Sequence, residues 1–289
     1  MIVLFGATGR VGGAAASELR RRGVAVRAVT REVAKGGRLA AAGCEVVAAD
    51  LYDERTLRLA MDGADGVLFV CPLPPGSSDV LADAERILDA AASAITATRP
   101  RFVVAISDYG AQHPSGTGIT TIFHRLEARL GQTSVPTTFV RSAEHMQNWM
   151  RYAPLVRDRG MLPSMHHPTT KPFPTVSACD VGVEAANILA AGAGGPSVVH
   201  VEGPTRYSAI DVAAAFASVM GRPVTAEALP RDAWGHALRD AGLGASYARL
   251  VVELQDAHNA GRIDDEKGVG ELRRGGTTLA EALATARVR

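Results

Sequence analysis

The stretch Phe5-Gly6-Ala7-Thr8-Gly9-Arg10-Val11-Gly12 constrains this chain more than any other. It stands between Met1-Ile2-Val3-Leu4, an apolar run of strand length, and Ala14 to Arg22, a run of strong helix formers. The order is strand, glycine loop, helix. A phosphate approaches a backbone closely only where side chains are absent, and amides at a helix N-terminus offer donors and a favourable dipole. Gly6, Thr8, Gly9, Arg10, Val11 and Gly12 therefore make a candidate pyrophosphate cradle. The spacing departs from the commoner G-x-G-x-x-G fingerprint by one residue before the second glycine.

At 289 residues and 47% hydrophobic, the chain can bury a full core, as one large domain or as a domain with an appended lobe. Lys+Arg 31 against Asp+Glu 30 leaves a net charge of +1, so no overall field favours nucleic acid or an anionic membrane. The expected partner is a small molecule. Cys44, Cys71 and Cys179 are odd in number, far apart and without a C-x-x-C, which reads as reduced core thiols and no metal site. No run approaches the ~20 apolar residues that span a bilayer, and the first strand begins at Ile2. A soluble, cytoplasmic protein is expected.

The second strand, Val24 to Thr30, ends at Arg31. At this edge of a dinucleotide fold an acidic residue binds the ribose 2′-hydroxyl, whereas an arginine accommodates a 2′-phosphate. Arg31 thus favours NADP(H) over NAD(H), with Arg10 a second cation for that phosphate and the neighbouring Glu32 a competitor. A third strand, Cys44 to Ala48, leads to Asp50-Leu51, where Asp50 either accepts from the adenine amino group or caps a turn. The apolar run Gly66 to Cys71 is stopped by Pro72, Pro74 and Pro75, a stiff loop placed to border the nicotinamide half, so Cys71 and Pro72 join the cofactor-binding set. After a helix Asp79 to Ala97, a fifth strand, Arg101 to Ile106, ends in Ser107-Asp108-Tyr109-Gly110. Five strand and helix alternations predict an α/β fold with a doubly wound parallel sheet.

A helix from Ile119 to Gly131 and a sixth strand, Thr137 to Val140, close the first part, residues 1–150, read as the cofactor-binding domain. From about Arg151 prolines punctuate a segment without sustained periodicity that contains His166 and His167, read as loop histidines in a lobe or lid. The pattern then resumes through residue 289 with helices at Ala178 to Ala190, Ile210 to Met220 and Ala245 to Ala260, and strands at Ser197 to Glu202 and Pro223 to Ala228. Leu250, Val251 and Leu254 share one face of the helix from Ala245, suited to covering the cleft or to a homodimer contact.

The glycine loop, the strand ending at Arg31, Asp50-Leu51, and Arg141 followed by Met146-Gln147-Asn148 resemble the NmrA-like branch of the atypical short-chain dehydrogenases/reductases. The likeness continues through Asp180-Val181-Gly182, Glu202-Gly203-Pro204 and Gly221-Arg222-Pro223. It implies a Rossmann-type NAD(P)-binding domain, residues 1–150, with a small α/β C-terminal substrate lobe, residues 151–289, part of whose chain returns to the Rossmann sheet. Members include NADPH-dependent quinone reductases, triphenylmethane dye reductases and redox-sensing regulators.

In the superfamily's standard chemistry a tyrosine, four residues before a lysine, donates a proton to the carbonyl. Here the tyrosine position falls on Thr120 and the lysine position on His124, so the dyad is missing. The resemblance then implies hydride transfer to an electron-poor acceptor, with His124 at the nicotinamide ribose or relaying protons, and Ser107 at the catalytic edge. His124 is otherwise a polar helix residue and Ser107 otherwise a helix cap. Met146, Trp149 and Tyr152, spaced three apart, wall a pocket for a flat substrate or belong to the core, and Tyr109 is placed with them. The expected activity is an NADPH-dependent oxidoreductase acting on a quinone, enone or dye. The alternatives are a non-catalytic redox sensor and an epimerase or lyase on the same fold.

Overall fold

The computed structural model describes residues 1–287. Its strands are β1 (Ile2–Phe5), β2 (Val26–Thr30), β3 (Glu45–Ala48), β4 (Gly66–Phe69), β5 (Phe102–Asp108), β6 (Thr137–Ser142), β7 (Glu144–His145), β8 (Met161–Ser164), β9 (Thr175–Val176), β10 (Val198–Glu202), β11 (Thr225–Ala228) and β12 (Glu271–Arg274). The helices are α1 (Arg10–Arg21), α2 (Gly37–Ala41), α3 (Glu54–Met61), α4 (Val80–Thr98), α5 (Thr121–Gly131), α6 (Ala153–Arg159), α7 (Ala178–Ala191), α8 (Ala209–Met220), α9 (Trp234–Asp240), α10 (Ala245–Asn259) and α11 (Leu279–Arg287).

Eight strands form one parallel sheet in the order β12-β10-β6-β5-β4-β1-β2-β3. The order reverses between β1 and β4, and the carboxyl edge at such a switch point is where open α/β sheets bind ligands. Strand periodicity builds both faces. Ile2 and Leu4 point to one cluster with Ala15, Leu19, Val181 and Leu189, from α1 and α7. Val3 and Phe5 point to the other, with Leu57, Met61, Ile87 and Leu126 from α3, α4 and α5. The sheet is thus doubly wound.

The proline-punctuated segment after Arg151 is more regular than its sequence suggests. It carries α6, β8 and β9, and β8 pairs in parallel with β11 while β9 pairs with β7. A third cluster gathers Met146, Trp149, Phe173, Phe216 and Leu283. A fourth packs Trp234, Leu238 and Leu250 of α9 and α10 against Val80 and Ile119. The face of α10 read as a cleft cover or dimer contact is therefore used within the chain, with Leu250 and Val251 buried. β12 escapes a hydropathy reading because Glu271-Leu272-Arg273-Arg274 is an edge strand with exposed positions. Among the described residues no helix is long and apolar enough to cross a membrane.

Candidate active site

The loop after β1 turns at Gly6, whose φ of +76° suits glycine and whose added Cβ would lie 2.8 Å from the Val70 Cβ after β4. The Gly6 carbonyl accepts from the Gly9 amide at 2.9 Å, and a Cβ on Gly12 would run into that same carbonyl oxygen. Gly12 thus brings α1 hard against the end of β1. Gly9 caps α1 without any side-chain hydrogen bond, leaving the first-turn amides facing outward for an anion. A cavity of about 180 Å³ opens there, lined by Gly6, Gly9, Arg10, Val11, Gly12, Val70, His145, Gln147, Asn148 and Ala178. Three glycines and the first turn of α1 line this cradle, and it fits the diphosphate of a dinucleotide.

The neighbouring strand ends complete the edge. Arg31, after β2, is exposed, and its guanidinium makes no hydrogen bond or ion pair among the described residues. Glu32, the competing carboxylate, is held by Lys35 at 2.6 Å. Asp50 is exposed, and its Oδ1 accepts from the Tyr52 amide at 3.0 Å, so one oxygen already closes a turn.

A second cavity, of about 240 Å³, adjoins the cradle, and His145 and Asn148 line both. Its walls include Phe123, Trp149, Tyr152 and Tyr247, and its polar groups include Asp108, Glu144, Arg151, His166 and His258. Glu144 accepts from His166 at 3.2 Å, and the His166 ring stacks on Phe173 at 3.7 Å. Burial alone would push the Glu144 carboxyl up, but the His166 hydrogen bond, with the charges of His166 and Arg151, outweighs it and holds it at about 2. His145 is pushed down to about 4, by burial first and by Arg10 next, while Glu144 opposes the shift. His258 is pushed down to about 3 by burial and then by the charge of His166. Both are neutral imidazoles near pH 7. Asp108 is the opposite case, raised to about 7 by burial with Glu144 adding to it, although Thr120 and the Tyr109 amide favour its charged form.

The sequence profile of the NmrA-like family matches residues 1–281. The chain belongs to the NmrA-like family. An NAD(P)H azoreductase of Xenophilus azovorans is 29% identical over 88% of this chain and 86% of its own length. A (4-alkanoyl-5-oxo-2,5-dihydrofuran-3-yl)methyl phosphate reductase of Streptomyces griseus is 30% identical over 89% and 86%. The crystal structure of the Escherichia coli NADPH-dependent quinone oxidoreductase QOR2 complexed with NADPH superposes with a TM-score of 0.81, at 24% identity over 99% of both chains.

Several expected site residues of this NmrA-like chain lie elsewhere. Tyr109 is fully buried, its hydroxyl donates to Glu202 at 3.2 Å and its ring meets His200 edge-on, so it is a core residue and not a pocket wall. Its phenol is pushed up by burial and by the Glu202 charge. Met146 is likewise fully buried, in the third cluster. Of that trio Trp149 and Tyr152 reach the cavity. Ser107 is buried and donates to Glu127 Oε1 at 2.5 Å, inside a network where Arg141 pairs with Glu127 at 2.6 Å and Glu266 at 2.5 Å. That network occupies the serine. His124 lines neither cavity, since its Nδ1 is 2.8 Å from the Ala111 carbonyl and ties α5 to the turn after β5. Cys71 is buried, its thiol pushed up to about 12 by burial, and the exposed Pro72 follows it outside the two cavities, as Leu51 also is.

His166 and His167 lie in the loop after β8, as read from the sequence, and both are held by partners there. His166 is buried on Glu144, and His167 bonds the Leu229 carbonyl and stacks on Trp234. Asp108, Glu144, His145 and His258 are the functional candidates that sequence reasoning missed. The signal for two of them was positional, since Asp108 ends β5 and Glu144 follows β6 at the carboxyl edge of the sheet. Elsewhere, Glu202, Asp264 and Asp265 converge closely enough to bind a cation, and the Arg206 guanidinium already sits among them, at 2.6 Å from Glu202 and Asp264.

Proposed function

We propose that the chain is an NADPH-dependent oxidoreductase that reduces a flat, conjugated acceptor such as a quinone, enone or dye without the tyrosine–lysine dyad. The observation that carries this reading is the aromatic-walled cavity of about 240 Å³ joined to the glycine cradle through His145 and Asn148. In this reading the α1 amides hold the diphosphate, and Arg31 and Arg10 take the 2′-phosphate. A reduced nicotinamide bound there supplies the hydride. Trp149, Tyr152, Phe123 and Tyr247 orient the acceptor and exclude water, which brings donor and acceptor into register. Residues 1–150 carry the cofactor, and residues 151–289 supply α10 and the His166 segment that roof the cavity. The relatives, an azoreductase and a quinone oxidoreductase among them, support the same class of acceptor.

The test follows NADPH absorbance against a panel of quinones, enones, azo compounds and triphenylmethane dyes. Steady turnover of any of them supports the oxidoreductase. Tight NADPH binding with no turnover points instead to a redox sensor.

A further inference from the structure

We propose that Asp108 is the catalytic acid of this site, delivering the proton that a neutral acceptor takes up with the hydride. The proposal rests on the oxidoreductase reading. Thr120 occupies the place of the missing tyrosine, and its hydroxyl donates at 2.9 Å to Asp108 Oδ2. The acid function has moved by one hydrogen bond, from a phenol on the helix to a carboxyl on the end of β5. Asp108 lines the cavity and forms no ion pair among the described residues. Among the other ionisable groups around the cavity, the His166 Nε2 is engaged by Glu144 and the Tyr152 phenol is raised by burial. Glu144, from β7, is held ionised by His166, and His145 and His258 are neutral. Tyr247, from α10, is raised by burial, and Arg151 is a permanent cation. Burial, with the charge of Glu144 added, keeps a fraction of Asp108 protonated near neutral pH, the condition a general acid needs.

The chemistry balances. Reducing a quinone adds a hydride, two electrons and one proton, supplied by the bound reduced nicotinamide, and leaves an acceptor oxygen that needs one further proton. The Asp108 O–H bond breaks, a new O–H bond forms on that oxygen, and the carboxylate left behind is stabilised by the Thr120 hydroxyl until water reprotonates it. A cationic triphenylmethane dye needs the hydride alone, because hydride addition to the cation gives a neutral product. The two acceptors therefore separate proton delivery from hydride delivery.

Two measurements test this. In ¹³C NMR of the aspartate-labelled protein without substrate, the carboxyl resonance that disappears in Asp108→Asn should titrate with a midpoint near 7. Thr120→Val should move that midpoint upward by removing a donor to the ionised form. A midpoint near the ordinary aspartate value of ~4 would overturn the assignment. In turnover, Asp108→Asn should lower the ratio of quinone kcat to cationic-dye kcat by ~10²-fold or more, within the range for loss of a general acid. An equal fall on both acceptors, or an unchanged ratio, would make Asp108 a structural residue. A wild type that binds NADPH and reduces neither acceptor would overturn the oxidoreductase reading itself, and the acid assignment with it.

Discussion

Glu144 and His166 meet at 3.2 Å in the lining of the cavity although 22 positions separate them in the chain. The pair fixes the short β7 strand to the segment after β8, and both side chains are largely buried. Removing one partner of such a pair leaves the other buried without compensation, at a cost of ~3–5 kcal/mol. Glu144→Ala should therefore lower the unfolding free energy measured in urea by that order while Glu144→Gln, which keeps an acceptor, loses less. Equal stability of Glu144→Ala and wild type would remove the pair from the account of this fold.

Acid should destabilise the protein well above the carboxylate range. His258 is held down to about 3 and His145 to about 4, both mainly by burial. An unfolded histidine binds its proton near ~6.5. Their contribution is thus fully present above that value and is lost as pH falls toward the folded values, because the unfolded state takes up protons first. Each histidine should cost roughly 1 kcal/mol per pH unit below ~6, and Asp108, raised to about 7, offsets roughly one of them over the same window because the folded state binds its proton first, which leaves a net loss of roughly 1 kcal/mol per pH unit. Urea unfolding at pH 7, 6 and 5 measures this, and a flat profile would contradict the burial of both rings.

Cofactor choice should depend on Arg31, which is exposed and whose guanidinium makes no hydrogen bond or ion pair among the described residues. Arg31→Ala should weaken NADPH by roughly 1.5–3 kcal/mol, about 10- to 100-fold, and NADH hardly at all. Isothermal titration with each nucleotide decides it. Equal weakening of both would show that Arg31 does not meet the 2′-phosphate.

Two glycines of one loop should fail in different ways. Gly9 is exposed at the cap of α1, so Gly9→Val places a branched side chain in the cradle and should abolish binding of either cofactor in a folded protein. Gly12→Ala sets a Cβ against the Gly6 carbonyl and should cost ~1–3 kcal/mol of stability as well. Circular dichroism melts with nucleotide titration separate the two. Undiminished affinity in Gly9→Val would remove the premise of the site.

Tyr109→Phe should leave turnover near wild type, since the hydroxyl points to Glu202 and not into the cavity. The expected loss is in stability, about 1–2 kcal/mol for a buried hydrogen bond to a carboxylate. A fall of ~10² in kcat would instead restore a tyrosine acid.

The sheet was legible because β1, β4 and β5 carry short, nearly continuous apolar runs in a regular alternation with helices, and because Gly6, Gly9 and Gly12 announce the expected phosphate edge. Charge and proline hid β12 and β8, whose pairing is set by neighbours and not by hydropathy. The cavity was harder to read for a different reason. Asp108, Glu144, His166 and His258 come from four elements, and nothing local in the sequence tells that they share one space. Ser107 and Tyr109 show the converse, two polar residues flanking Asp108 whose hydroxyls are both consumed by carboxylates inside the core.

A Cβ on Gly182 would strike the Val11 carbonyl oxygen and crowd Ala14, so α7 rests directly on the backbone of α1. At the start of α7 the Gln147 side chain accepts from the Ala178 amide, and both residues border the cradle. The first helix is therefore buttressed by a helix from the far half of the sequence. One consequence is that the two halves are not interchangeable modules. A cut near residue 150 would bare the apolar side of α1, and grafting another C-terminal half would disturb the amides proposed to hold the diphosphate. A bulky replacement at Gly182 would then be scored in an assay as a lost cofactor, although Gly182 does not line the cradle.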